Sequence, residues 1–301
     1  MALEDLILCG KSRVLRDSLA VIHLFPSLTR LYLNLDGYRR DGTLDLAVLG
    51  PLSALRQFEC HRWQHVELTN PTLLLLRQLT YLDIQNCDTV VIDAELPSLL
   101  KLVVHTTNSV RLGGERLHLP QLTRLLVEDS EAVAVDWAAV PQLAALSTEG
   151  CQSLNTDTLA TLGRLTSLSV TYDWQTESSF KTANEVLQAA PPSVQRLSIR
   201  GLREGWLPPL QRLPRLTSLT CDRPAIIPQL GALPLLQHLR LESHSAALLT
   251  LEHAELLAGK TSLRRLCFTV PLDPTNSARL QRVQALRKLL PVDCTLEQPM
   301  L

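Results

Sequence analysis

Aromatic residues make up only 4% of this chain, and glycine only 12 of its 301 residues. With 46% hydrophobic residues and so few rings, the core must be filled by aliphatic side chains, chiefly leucine. No C-x-x-C pair occurs: the seven cysteines, at 9, 60, 87, 151, 221, 267 and 294, are odd in number and dispersed. Such a set reads as reduced thiols and argues against a disulfide framework. No asparagine stands in a usable N-x-S/T sequon, and Asn70 is followed by proline. The start, "MALEDLILCGKSRV", has acids before a short apolar run, which is no secretion signal. No apolar run is long enough to cross a bilayer. The formal net charge of −1 supplies no long-range attraction for nucleic acid or an anionic membrane. Together these absences predict an intracellular, cytoplasmic protein with no membrane segment.

Catalytic motifs are lacking too. There is no glycine-rich phosphate loop, no G-x-S-x-G elbow and no H-E-x-x-H. The nearest thing to a metal cluster is "CHRWQH", with Cys60, His61 and His65. Cys60 and His61 are neighbours in a period-two segment and point apart, whereas a closed zinc site needs four converging ligands. No nucleophile–base pair is set by local sequence. We therefore assign no catalytic residue, no cofactor and no metal ligand, and expect no enzyme.

What the chain does contain is a repeat. "LPQLTRLLVEDS" (119–130) returns as "LPSLLKLVVHTT" (96–107), "LPRLTSLTCDRP" (213–224) and "LPLLQHLRLESH" (233–244). The pattern L-x-x-L-x-L, with other apolar residues or cysteine allowed at the leucine sites, begins at Leu3, Leu28, Leu55, Leu79, Leu99, Leu122, Leu143, Leu165, Val194, Leu216, Leu236 and Leu263. A degenerate copy begins at Leu289, and Thr148 is the one polar residue at an apolar site. The end of each copy alternates apolar and polar residues, which predicts a short strand with one buried face. One such strand cannot bury its leucines alone, so neighbours must stack and share a core.

The chain resembles the leucine-rich-repeat superfamily over essentially its whole length. The turn "LAALSTEGCQSLNTDTLATL" (143–162) is similar to the cysteine-containing repeats of F-box receptors, with Cys151 at the Asn/Cys site and Cys87 at the same site of "LTYLDIQNC". Most other turns place Lys11, Trp63, Thr107, Ser130, Asp173, Pro224 or His244 there, so a full asparagine ladder is not expected. The resemblance implies an α/β leucine-rich-repeat solenoid, a curved horseshoe with a parallel β-sheet on the concave face. Short helices, 3₁₀ turns and loops would lie on the convex face. A single domain, 1–301, of about 12–13 repeats would end in a capping helix and last strand over 274–301.

Repeat length adds detail. Helical patterns stand at 12–25, 250–260 and 276–290, whereas the turns of 20 to 24 residues between Leu79 and Leu165 have room only for 3₁₀ or extended returns. The ends should therefore curve more than the middle. In the longest turn, "YDWQTESSF" should project as a loop.

The x positions of the strand motif line the exposed face, and three zones emerge. The first combines Tyr32, Glu59, Trp63, Tyr81 and Asp83, a mix of aromatics and acids suited to an interface centre. The competing reading turns Trp63 inward and stacks Tyr32 and Tyr81 across the sheet. The second, with Ala145, Ser147, Ser167 and Ser169, is small and polar and forms a shallow trough. The third is basic: Arg196, Arg200, Arg240, Arg264 and Arg265, with His238 between them. These guanidiniums suit an acidic partner or phosphate groups unless Asp222 and Glu242 neutralise them. Of the cysteines, Cys60, Cys221 and Cys294 take inward sites, while Cys9 and Cys267 face outward.

The function expected is a non-catalytic protein–protein interaction scaffold that recognises a partner through the concave face. An alternative is a substrate-recognition subunit of a ubiquitin ligase. The repeats start at residue 3 and leave no room for an F-box, so that role needs a separate adaptor. Another is a structural subunit of a ribonucleoprotein complex, disfavoured by the near-zero charge.

Overall fold

The computed structural model describes residues 3–36, 42–69, 76–172, 176–201, 210–242, 251–268 and 295–297. Its backbone groups into two compact units, Met1–Leu165 and Thr166–Leu301.

The first unit begins with β1 (Asp5–Gly10), α1 (Ser12–Ala20), β2 (Arg30–Leu35), β3 (Thr43–Asp45), β4 (Gln57–His61) and β5 (His65–Leu68). It continues with β6 (Tyr81–Gln85), β7 (Thr89–Ile92), β8 (Lys101–His105), β9 (Ser109–Leu112), β10 (Arg124–Glu128), β11 (Ala132–Val135) and β12 (Ala145–Glu149). The strands of the leucine motif pair in parallel, in the order β1-β2-β4-β6-β8-β10-β12. Register is uniform, so Leu31, Phe58, Leu82, Leu102 and Leu125 stand in one row. That row and the next inward one, from Leu33 to Val127, are at most 2% exposed. Each fully buried leucine contributes about 2 kcal/mol. This shared aliphatic core is why no repeat is stable by itself.

The return paths hold a feature that the repeat spacing did not reveal. β3, β5, β7, β9 and β11 pair in parallel as a second, five-stranded sheet. Their segments, "HVEL", "TVVI", "SVRL" and "AVAV", bury alternate residues. From β4, β6, β8 and β10 the chain passes to the second sheet through a single left-handed residue, Arg62, Asn86, Thr106 or Asp129, with φ between +49° and +68°, and Gly150 (φ +67°) takes the same place after β12. The N–H of Thr106 reaches Glu128 O at 2.9 Å, and that of Asp129 reaches Glu149 O at 2.7 Å, so each corner is tied to the next repeat.

The residue after each corner is buried: Trp63, Cys87, Thr107, Ser130 and Cys151 are all at most 2% exposed. Small polar groups there find local carbonyls in place of an asparagine ladder. Thr107 Oγ1 and Ser130 Oγ lie 2.9 Å apart, Ser130 Oγ donates to Glu128 O, and Cys151 Sγ donates to Val127 O at 3.3 Å. Trp63 turns inward, which removes it from the exposed aromatic zone. Short 3₁₀ turns at Leu46–Leu49 and Trp137–Ala139 complete the returns, each capped by an aspartate, Asp45 or Asp136.

The second unit comprises β13 (Ser167–Thr171), α2 (Glu177–Ala189), β14 (Arg196–Arg200), β15 (Ser218–Cys221), β16 (His238–Leu241), α3 (Leu251–Ala258), β17 (Arg265–Phe268) and β18 (Thr295–Glu297). These strands also run parallel in chain order, and the described return elements between them are helical or 3₁₀. The helical patterns at 12–25 and 250–260 appear as α1, with a 3₁₀ turn behind it, and as α3. The pattern at 276–290, and with it the capping helix, lies outside the described residues.

One expectation is corrected. "YDWQTESSF" is not a projecting loop over its described residues, because α2 starts at Glu177. Ser179, Thr182, Ala183, Val186 and Leu187 form its buried stripe, and only Glu177 and Ser178 are exposed at its start. Tyr172 is 1% exposed and its ring lies 5.2 Å from that of Phe180.

Candidate functional site

Because the leucine rows face the core, the other side chains of each strand stand in three columns on the opposite face of the sheet. In the first unit the middle column runs Ile7, Tyr32, Glu59, Asp83, Val103, Leu126 and Ser147. The expected zone of Tyr32, Glu59, Tyr81 and Asp83 is brought together on β2, β4 and β6.

Its members are not equally open. Tyr32, Glu59 and Tyr81 are half-buried, but Asp83 is only 5% exposed, and Val103 beside it 3%. Asp83 therefore departs from the expectation of a surface anchor. Its carboxylate accepts from Tyr81 Oη at 2.8 Å and from Gln85 Nε2 at 3.1 Å, so it works beneath the surface to orient two neighbours. The physical reason is strand alternation: Tyr81 and Gln85 stand two positions away along β6 on the same face, and their long side chains reach over the middle column. Lys101 adds to this cover with its ammonium 5.1 Å from the Tyr81 ring centroid.

Tyr32 Oη lies 3.2 Å from His61 Nδ1, and the two rings meet edge to face with centroids 4.8 Å apart. Burial lowers the His61 pKa, which keeps the ring neutral at pH 7. Glu59 has no hydrogen-bond or ion-pair partner among the described residues. Burial, and then the charge of Asp83, raise its pKa. Burial and the bond to Asp83 hold the Tyr81 phenol well above its usual value.

Towards the β1 edge the same face opens into a cleft of about 440 Å³, walled by Asp5, Ile7, Arg30, Tyr32, Gln57 and Glu59. Ile7 is 70% exposed there. Arg30 is spoken for, since its Nε donates to Asp5 Oδ1 at 2.6 Å and its Nη2 contacts the other oxygen.

In the second unit the columns are Ser167, Arg196, Ser218, His238 and Arg265, then Ser169, Ser198, Thr220, Arg240 and Cys267. From β13 to β17 these two columns contain no carboxylate. The acids fall in the third column, which adjoins Arg200. Glu242 accepts from Arg200 Nε at 2.7 Å and sits 3.3 Å from Arg240 Nε. Asp222 accepts the Gly201 N–H at 2.6 Å. Arg196 and His238 are exposed and have no hydrogen-bond or ion-pair partner among the described residues. Arg264 and Arg265 are exposed beside them.

The buried thiols are not set up for chemistry. Cys60, Cys87, Cys151 and Cys221 are buried, and burial pushes the Cys151 and Cys221 thiols up to about 12. Cys60 faces the core while His61 reaches Tyr32 on the other side, so the "CHRWQH" residues diverge. Sequence reasoning missed the cleft, the roofing of Asp83 and the role of His61. Only the last left a trace, as the residue after a buried cysteine.

No protein-family model matches this sequence, and no curated protein matches it. Solved structures that it resembles include the TLR13 chain of a TLR13–ssRNA13 complex, at 15% identity over 89% of this chain and 47% of that one, with a TM-score of 0.47. Internalin C2 of Listeria monocytogenes str. 4b F2365 is 16% identical, with 82% and 84% covered and a TM-score of 0.32. A chain of the mouse RP105/MD-1 complex is 15% identical, with 99% and 65% covered and a TM-score of 0.35. The chain spans about half the length of the TLR13 chain. Among the described residues no helix is long and apolar enough to cross a membrane. By its strand order, its uniform register and its buried leucine rows, the chain is a leucine-rich-repeat solenoid.

Proposed function

We propose that this chain is a non-catalytic scaffold that recognises a partner protein across the exposed face of its parallel sheets. The leucines carry the fold, so the face columns are free to be specified by a partner. The observation that carries the reading is the pair of carboxylate-free columns from β13 to β17, where Arg196, His238 and Arg265 stand among serine and threonine hydroxyls and Arg240 stands beside them at the border with Glu242. It suits an acidic segment of a partner protein, with Arg200 and Arg264 at its margins. On the face of the first unit, Tyr32, Glu59 and Tyr81 are the contact residues.

The test is affinity capture from source-cell extract at two salt concentrations, comparing the wild type with Arg196→Glu/Arg240→Glu. One stoichiometric protein lost in the variant supports the reading. Undiminished capture by the variant refutes this surface, and steep loss of captured RNA with added salt would replace it with a ribonucleoprotein role.

The free, buried thiols favour a reducing, cytoplasmic setting. Cys87 and Cys151 at equivalent corner sites, both buried, favour a second reading, in which the chain resembles the cysteine-containing F-box receptors and presents substrates to a ubiquitin ligase through a separate adaptor. Co-capture of ligase subunits would distinguish it.

A further inference from the structure

We propose that the cleft between β1 and β4 receives a basic side chain, arginine or lysine, presented by an extended segment of the partner protein. This deepens the scaffold reading and rests on it.

The cleft holds one uncompensated negative charge and an apolar wall. Glu59 projects into it without a hydrogen-bond or ion-pair partner among the described residues, and Asp83 stands behind it one strand away. Among the described residues, three cations of this face are engaged elsewhere or uncharged at neutral pH. Arg30 is bound to Asp5 through both of its contacting nitrogens. Lys101 lies over the Tyr81 ring. His61 engages Tyr32, and burial keeps it uncharged at pH 7. Burial, and then the neighbouring charge of Asp83, hold the Glu59 carboxyl above its ordinary range.

The walls fit a basic side chain rather than a bare ion. Ile7, 70% exposed, and the Tyr32 ring offer apolar surface on which the methylene stem can lie, with the cation near the ring and facing Glu59. A cleft of about 440 Å³ is ample for one such side chain. Asp5 and Arg30 neutralise each other at the rim, so the charge that selects the occupant is that of Glu59 and Asp83. Charge complementarity therefore favours a cation and disfavours an acidic occupant here, in contrast to the basic face of the second unit.

The probe is acetyl-Gly-Arg-Gly-amide, compared with the same peptide carrying citrulline, a neutral near-isostere of arginine. Binding is read by NMR on the isoleucine δ-methyl groups, where Ile7 reports the cleft and the fully buried Ile84 reports the fold. The arginine peptide should shift Ile7 saturably, and citrulline should bind about fivefold more weakly. Glu59→Gln should erase that difference with Ile84 unmoved, while Glu59→Asp, keeping the charge, should retain part of it. Equal binding of the two peptides, or an arginine response that ignores Glu59→Gln, overturns the proposal. The two readings fail separately: a captured partner that ignores Glu59→Gln, with no Ile7 response, sinks the cleft alone. No partner on either face, despite an Ile7 response, sinks the scaffold and with it the identity of the occupant.

Discussion

Gly201 closes β14 beside Arg200, and replacing it with alanine should be among the most damaging small changes on the face. Its φ is +73°, a region where an L-residue costs about 1 kcal/mol. The added Cβ would fall 2.0 Å from the carbonyl oxygen of Tyr172 and 3.0 Å from its carbon. Those are backbone atoms, so no rotamer change relieves the overlap. To make room, the strand end must shift and strain two hydrogen bonds, Gly201 N–H to Asp222 at 2.6 Å and Tyr172 N–H to Arg200 O at 2.8 Å. Weakening two such bonds adds about 2 kcal/mol, for a total near 3 kcal/mol. Gly150→Ala is the control. Its φ is +67°, but the nearest obstacle, 2.3 Å away, is the Asp129 Oδ1 tip, which can rotate aside. It should cost about 1 kcal/mol. Equilibrium urea unfolding followed by circular dichroism measures both. If the two variants lose stability equally, within about 0.5 kcal/mol, close backbone approach is not what reserves position 201 for glycine. The displaced Arg200 should also weaken capture of an acidic partner, which Gly150→Ala leaves intact.

Thr148→Val should stabilise the protein by about 1 kcal/mol, because the Thr148 hydroxyl is buried with no partner among the described residues; a lower urea midpoint would contradict this. Leu102→Ala, at a fully buried site shared by three strands, should cost about 2–5 kcal/mol in the same assay. Thr106→Asn should gain about 0.5–1 kcal/mol, since a β-branched residue now holds a φ of +52° that asparagine tolerates; no gain would mean that the corner is unstrained. Glu59 gives a pH signature. Its folded pKa is raised, so the ionised form penalises the fold above that pKa, and the penalty fades as pH falls through the unfolded value. Glu59→Gln should therefore raise Tm at pH 7 more than at pH 4; an equal or reversed difference refutes the unpaired-carboxylate account.

Apolar spacing was sufficient to locate the sheet strands, because Leu82, Leu102 and Leu125 have nowhere to go but a shared core, and burial at period two is a local signal. It also placed Arg196, His238, Arg240 and Arg265 on one face, since register follows from repeating the same motif. The fate of Trp63 was undecided in the sequence: an indole at a corner site can point either way, and only the room left between repeats turned it inward. α2 was misread at its start because its first turn is polar in sequence even where it is buried, at Ser179, and the apolar part of its buried stripe comes only further along.

The sequence by itself determined the repeat, the leucine core and the columns of the exposed face, because these depend on side-chain alternation within single strands. Only the tertiary structure decided the rest. The second sheet forms because β5, β7 and β9 lie beside one another, although they are distant in sequence. Asp83 is buried because Tyr81 and Gln85, two positions away along β6, fold over it and bond to it, a choice of side-chain orientation that strand alternation alone leaves open. Among the described residues Glu59 has no side-chain partner, and the neighbouring Arg30 is held by Asp5 from another repeat. Strand pairing and charge competition are set by neighbours from other repeats, and no window of sequence contains them.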